Sequence, residues 1–526
     1  MAAERRWHAR WAPVACLIGL AIAVFVLYRW QLDRAPVYLA HDEVFFGLQA
    51  QSVSLSGSDL NGRFLPLFFS DRTYEPGREP ISIYLTALML KMSPLSEQAI
   101  RLPTVLVGLV DVVLMFFVAR RLFHSDLMAL CASAFLALSP AHFFYSRLAV
   151  DVIYPLPFVL GWLWLLLRFV EHTTDRLLFA STFVLGLGVY GYASAEVTAP
   201  ALLLVTCAAA TVNRKGSRGR ACGVAVAGFI VALLPFLVWH AMHPDRYRGV
   251  IKAYGVYDPK LNVLQGLKDV ATYSAIGDRV GAYWASLGPG FLFFFGDPSV
   301  ADSTRHGGLF LLPMAALIAV GLYSLVGHLR SAANWVIVAG FLIAPLASMV
   351  NPMLTTRRVL IIVPFGVLIA MDGWRYLASR SKFGVYVIGL IGVLSLYQFA
   401  GFYSDYLTDY RLRSSGWFEW NIRGALEQLI ALDDERGAKD RIYVNAENPF
   451  MPEYLQFYAA KHSHPAFLSR VIVNREVAPD SSGGVILVRQ LVHARPDTAC
   501  AAPVPLRLIA TIREPDDTPS FVICTN

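Results

Sequence analysis

Roughly eleven stretches of this chain run for about 15–20 residues with almost no charge, and no other feature constrains its fold more. They are 11–30, 101–119, 127–145, 152–168, 177–192, 196–212, 221–241, 308–327, 335–350, 358–372 and 383–402. A helix that crosses a bilayer needs about 20 mostly apolar residues. Inside lipid every backbone N–H and C=O must find its partner within the protein, so each stretch reads as a spanning helix. Only 16% of the 526 residues are charged and 56% are hydrophobic, against roughly 25% charged residues in a soluble domain. Several soluble domains, a disordered chain and a disulfide scaffold are all excluded by that balance. The net charge of +7 does not point to nucleic acid, because Lys and Arg in such chains mark the cytoplasmic side.

The segment 80–92 is shorter, about 20 Å as a helix, and suits a helix lying at the membrane surface. Excluding it from the spans puts about fifteen Lys and Arg in inner loops, among them Arg120, Arg121, Arg214, Lys215, Arg218 and Arg220, and only about three in the short outer loops. The N-terminus is then cytoplasmic. Three large pieces fall outside: a first loop of 31–100, a middle loop of 242–306 and a tail of 403–526. Two domains are expected, a membrane domain 1–402 that includes both loops and a C-terminal domain 403–526. In the tail, short apolar runs alternate with helical patterns (helices over 422–436 and 450–461; strands over 441–446, 484–490, 506–513 and 521–525), which reads as a small α/β module. Cys500 and Cys524 both lie there. An oxidising compartment permits a disulfide between them, but spacing alone does not decide it.

No Walker loop, metal-spaced Cys/His cluster or dinucleotide fingerprint is present, which disfavours an ATP-driven pump. Polar chemistry concentrates in the outer loops instead. Asp42 and Glu43 open an apolar helical run, where helix capping is the ordinary role of such acids. Tyr74-Glu75-Pro76-Gly77-Arg78-Glu79-Pro80 leads into the interfacial helix, and Arg78 there is either a snorkelling residue or a phosphate partner. Arg147 and Asp151 follow Ser139-Pro140 at a span mouth. His306 precedes two glycines, which let a ligand approach the backbone closely. Arg357 and Arg358 stand on the side where positive charge is scarce. Acids and arginines gathered at one membrane face suit a lipid-borne phosphate and a polar group to be transferred, with a carboxylate to deprotonate the incoming hydroxyl.

These residues resemble the membrane C-type (GT-C) glycosyltransferases, specifically the bacterial relatives of dolichyl-phosphate-mannose protein mannosyltransferases and the aminoarabinose transferases acting on lipid A (glycosyltransferase family 39-like). The resemblance covers about residues 1–410. It rests on Asp42-Glu43, Arg78-Glu79-Pro80-Ile81, Arg101-Leu102-Pro103, Ala119-Arg120-Arg121-Leu122-Phe123, Leu138-Ser139-Pro140 with Ser146-Arg147 and Asp151, and Tyr403-Ser404-Asp405-Tyr406. It implies an α-helical polytopic membrane protein of about eleven spans with a small extracytoplasmic α/β tail. It also implies a polyprenyl-phosphate-linked sugar donor, inversion at the anomeric carbon, and a glycan, lipid or protein acceptor. Asp42 is the implied base and Glu43 its companion. Glu79 and Asp151 are supporting acids; Arg78, Arg147, His306, Arg357 and Arg358 are donor-phosphate ligands. Glu79 departs from the Lys-Pro-Pro of the aminoarabinose transferases. No cofactor or required metal is expected, although a divalent ion near the acids is compatible with the superfamily; membrane lipids are partners and nucleic acid is not. None of the ten Asn lies in a glycosylation sequon, which favours a bacterial inner membrane over the endoplasmic reticulum, with the active site on the periplasmic side. A transporter or flippase of lipid-linked sugars is the alternative; it would place its polar residues at mid-membrane.

Overall fold

A computed structural model describes the chain except for residues 1, 71–76, 214–216, 259, 381, 474–483, 492–498 and 501–505. The expected Tyr74-Glu75-Pro76 segment therefore lies outside the described residues. The chain is mostly helical and separates into two compact units.

The first unit holds residues 1–30, 66–82 and 103–404. Seven helices among the described residues are long and apolar enough to cross a membrane: Ala12–Arg29, Glu97–Phe123, Asp151–His172, Ala195–Val212, Arg218–Met242, Ala332–Met349 and Lys382–Leu407. The four other expected spans are also helical. Asp126–Leu138, Asp175–Leu187 and Met314–Val326 are short, while Ile362–Arg380 carries Asp372, Arg375 and Arg380 near its end. Proline explains one shortening: the helix Asp126–Leu138 stops at Ser139 and restarts as Pro140–Tyr145, with Pro140 in the first position that tolerates a missing N–H. Lipid is as apolar as leucine, so these helices associate by close backbone approach rather than by hydrophobic burial. A Cβ at Gly321 would stand 1.9 Å from the carbonyl oxygen of Ile369, and one at Gly228 would stand 2.4 Å from that of Phe179. Only glycine fits either crossing. Asp111, in the middle of a span, lies 3.3 Å from His142 Nε2, and His142 Nδ1 lies 2.9 Å from the Tyr28 hydroxyl, so three elements share one buried polar chain.

The second unit holds residues 31–65, 83–102 and 405–526. Its sheet runs in the order β2-β1-β3-β5-β4, with β1 Arg441–Asn445, β2 Val471–Val473, β3 Val485–Gln490, β4 Arg507–Arg513 and β5 Pro519–Thr525. β1 pairs in parallel with β2 and β3; β5 is antiparallel to β3 and β4. The strand β2 was not among the expected elements. The helix Ile422–Glu435 is capped by Asn421, whose side-chain oxygen accepts the Gly424 N–H at 2.8 Å, and it buries Ile422, Ala425, Leu426, Leu429 and Ile430 along one face. Cys500 and Cys524 form a disulfide, Cα–Cα 5.8 Å.

Residues 31–65 and 83–102 cluster with 405–526 in this second unit. Long-range polar contacts account for this: the Tyr454 hydroxyl donates to the Leu39 carbonyl at 2.7 Å, Tyr38 donates to Glu514 at 2.9 Å, and Lys461 meets both oxygens of Glu97 at 2.9 Å. The helix Met451–Lys461 also packs on His41–Ser56, where Gly47 leaves room for Phe457.

Candidate active site

Two groups of polar residues stand out, one in each unit. In the second unit, the helix His41–Ser56 begins after Ala40, and Glu43 reaches back so that its Oε2 accepts the Ala40 N–H at 3.1 Å. Glu43 is fully buried and meets Arg101 in a bidentate pair, Nε to Oε1 at 2.7 Å and Nη2 to Oε2 at 2.8 Å. Arg101 also donates to the carbonyls of Leu32, Pro36 and Tyr38. One guanidinium thus gathers the whole approach to the helix. Both oxygens of Glu43 are thus committed, to the Arg101 guanidinium and to the Ala40 N–H.

Asp42 occupies the first turn, where the free N–H groups and the positive end of the helix dipole favour its carboxylate. Its Oδ1 lies 3.4 Å from His41 Nε2. The His41 ring stacks on Phe450 (centroids 4.1 Å apart, planes 6° apart), and its Nδ1 lies 3.9 Å from Glu419. Burial pushes the Glu419 carboxyl above the usual range, with His41 opposing the shift. The buried Tyr454 phenol is raised strongly, first by burial and then by the negative charge of Glu419, Glu43 and Asp42.

In the first unit, Phe69 and Arg78 exchange two backbone hydrogen bonds, at 2.7 and 3.1 Å, which set Glu79 immediately ahead of the helix Pro80–Leu90. Glu79 is 2% exposed and its Oε1 has no hydrogen-bond partner among the described residues. Its carboxyl is held well above the usual range, foremost by burial, then by the charges of Asp151 and Glu196, with Arg246 opposing. Arg246 opens the helix Arg246–Tyr254 and is itself buried. It lies 2.9 Å from His240 Nε2, donates to Glu196 at 3.3 Å, and has its guanidinium carbon 4.1 Å from the Phe68 ring centroid and 5.2 Å from that of Trp239. Arg246 is therefore paired with Glu196 and lies within reach of the Glu79 charge, in an aromatic cage whose cation–π contacts hold the guanidinium plane. Glu196 and Arg246 line an open pocket with about 560 Å³ of empty space, together with Tyr192, Asn351 and Arg358.

The expected phosphate ligands separate on inspection. Arg358 lines this pocket and donates to the Asn351 carbonyl at 2.5 Å. Arg78 is half-buried beside Glu79. Arg357 is paired with Asp302 at 2.6 Å, and Tyr145 donates to the same carboxylate at 3.0 Å. Arg147 is fully buried and donates to the carbonyls of Leu27 and Tyr28, so it caps the C-terminal end of the first span. His306 is exposed, with its backbone N–H on Thr304 at 3.2 Å, and does not line the pocket. Of the expected acids, Glu79 and Asp151 are brought together. Sequence reading assigned no part to Arg246 or Glu196; Glu196 signalled only as an acid within an apolar stretch, and Arg246 as one member of a charged run at the start of the middle loop. Among the described residues no group of three His, Cys, Asp or Glu side chains is arranged to hold a metal ion.

Comparison with known proteins bears on what such a site does. Residues 75–239 match the family model described as dolichyl-phosphate-mannose-protein mannosyltransferase. Among curated protein sequences none matches the chain. The fold matches crystal structures of ArnT from Cupriavidus metallidurans over 98% of both chains. The structure bound to undecaprenyl phosphate gives a TM-score of 0.57 at 13% identity, and the apo structure gives 0.55 at 14%. The chain thus has helices able to cross a membrane, shares the fold of ArnT, and over residues 75–239 is similar to the dolichyl-phosphate-mannose-protein mannosyltransferases.

Proposed function

We propose that this protein is an inverting glycosyltransferase that moves a monosaccharide from a polyprenyl-phosphate donor to an acceptor hydroxyl, in a bacterial inner membrane and at its periplasmic face. The observation that carries the reading is the buried Arg246, paired with Glu196 at a pocket that Arg358 also lines. Two arginines at one pocket suit a phosphate, which they bind with charge-assisted hydrogen bonds. The ArnT relative of the same fold was crystallised with undecaprenyl phosphate, which supports a lipid phosphate as the ligand. Arg78 stands next to Glu79 as a third cation.

In the proposed reaction the acceptor oxygen attacks the anomeric carbon while the bond from that carbon to the phosphate oxygen breaks. The phosphate leaves as an anion that Arg246 and Arg358 stabilise, so no acid is needed to protonate it. Asp42 takes the acceptor proton as general base, and Glu43 with Arg101 holds it in place. Attack from the face opposite the phosphate inverts the configuration, as in inverting glycoside chemistry. Glu79, its carboxyl held above the usual range by burial, Asp151 and Glu196, is the supporting acid next to Arg78. The scheme uses no resident metal or cofactor.

The test is mass analysis of lipid-linked sugars and envelope glycans in a strain lacking the gene. Donor should accumulate and one glycan, lipid or protein should lack a single sugar; wild-type chain should reverse both and Asp42→Asn neither. An unchanged lipid-linked sugar pool would refute the reading.

A further inference from the structure

We propose that His41, clamped on Phe450 between Asp42 and Glu419, relays to Glu419 and on to water the proton that Asp42 takes from the acceptor. The inference rests on the assignment of Asp42 as base. Asp42 has a need for such a path: its side chain is only 11% exposed, while those of His41 and Glu419 are 33% and 29% exposed. A shielded base that has accepted a proton must lose it before the next turnover, and imidazole can accept at one ring nitrogen while donating from the other.

The geometry is that of a relay. Nε2 faces Asp42 Oδ1 at 3.4 Å and Nδ1 faces Glu419 Oε1 at 3.9 Å, so the two nitrogens address two different carboxylates. The second gap is one that a small shift or a single water closes. The parallel stack on Phe450 fixes the ring plane in which both contacts lie. On the far side, Asn448 Nδ2 donates to Glu419 Oε2 at 2.9 Å, which leaves Oε1 turned to the imidazole. Glu419 and Trp420 have φ of 64° and 62°. Two successive non-glycine residues in the left-handed region are costly, and such backbone persists where the surroundings hold it for a purpose. Burial raises the Glu419 carboxyl and so improves it as a proton acceptor.

The protons balance. The acceptor O–H breaks and its proton joins Asp42; that proton passes to Nε2 as the Nδ1 proton passes to Glu419, which releases it to water. Exchange with water then restores the starting tautomer. The charged and titratable groups facing this path are Asp42, Glu419, Tyr454 and the Glu43–Arg101 pair.

The test uses the full chain in liposomes, with the polyprenyl-phosphate sugar and envelope-acceptor fractions extracted from a strain lacking the gene. His41→Phe keeps the stack and removes both nitrogens; it should lower kcat about tenfold or more with an unchanged KM for donor, and Glu419→Gln should lower kcat in the same direction. His41→Ala should regain activity with added imidazole, which a packing role would not allow. Wild-type kcat in His41→Phe while Asp42→Asn is inactive overturns the relay and spares the base. Normal turnover in Asp42→Asn overturns the base, and the relay with it. A His41→Ala protein that unfolds at the wild-type temperature yet ignores imidazole also overturns the relay. Where His41→Ala does not fold, the other two variants decide.

Discussion

Arg101 is the residue whose loss should reach furthest. Arg101→Met removes two hydrogen bonds to Glu43 and three to the carbonyls of Leu32, Pro36 and Tyr38. Glu43 would then be a carboxylate at 0% exposure with its cation gone. Breaking a buried pair from one side costs about 3–5 kcal/mol, because the remaining charge is left uncompensated. For a unit of this size the unfolding midpoint should fall on the order of 10 °C. Pairing Arg101→Met with Glu43→Leu removes the orphaned charge but leaves three carbonyls short of a donor, so the double variant should recover part of the loss and not all of it. Thermal unfolding of the four proteins in one detergent, followed by near-UV circular dichroism, closes the cycle. Two results would refute the reasoning: a midpoint for Arg101→Met within about 2 °C of wild type, or a double variant as unstable as the sum of the singles.

Three further expectations concern the first unit. Glu79 has its carboxyl raised above the unfolded value by burial, Asp151 and Glu196, so the folded state loses stability as pH climbs from the unfolded value through the folded one. Glu79→Gln, which mimics the protonated acid, should flatten that loss in pH-dependent unfolding and retain activity within about tenfold. Arg246→Ala should weaken binding of undecaprenyl phosphate by about 10- to 100-fold, the worth of a charged hydrogen-bond pair, and Arg246→Lys should restore only part, since an ammonium lacks the planar fork; calorimetry with the lipid in detergent measures both. Arg147→Met should lower the unfolding midpoint, losing about 1.5–3 kcal/mol of charged hydrogen bonding, while the KM for donor stays unchanged, as befits a helix cap.

What could be read from the chain before folding, and what could not, divides along sequence distance. The apolar helices, the short Pro80–Leu90 among them, and most tail elements are written in local periodicity, so each appeared near its expected place. Asp42-Glu43 and Arg78-Glu79 were visible because they sit beside apolar runs. Partners were not visible: Arg101 lies 58 residues from Glu43, and Arg246 lies 50 from Glu196. The partners of Arg147 were as distant: it donates to carbonyls ending a helix 119 and 120 residues earlier. The boundary between the units was hidden too, since no composition shift records that residues 31–65 pack with the tail.

That last arrangement bears on how the protein is made. Tyr38 hydrogen-bonds Glu514, 476 residues later, and Asn421 bonds the same carboxylate. At roughly 5–20 residues per second, a ribosome needs on the order of half a minute to a minute and a half to supply that partner. During this interval the segment holding Asp42 is already out of the ribosome, yet it lacks the helix Met451–Lys461 and the strands beyond. The nascent segment 31–65 must therefore wait, exposed to proteases and chaperones, and becomes complete only once Glu514 has been made.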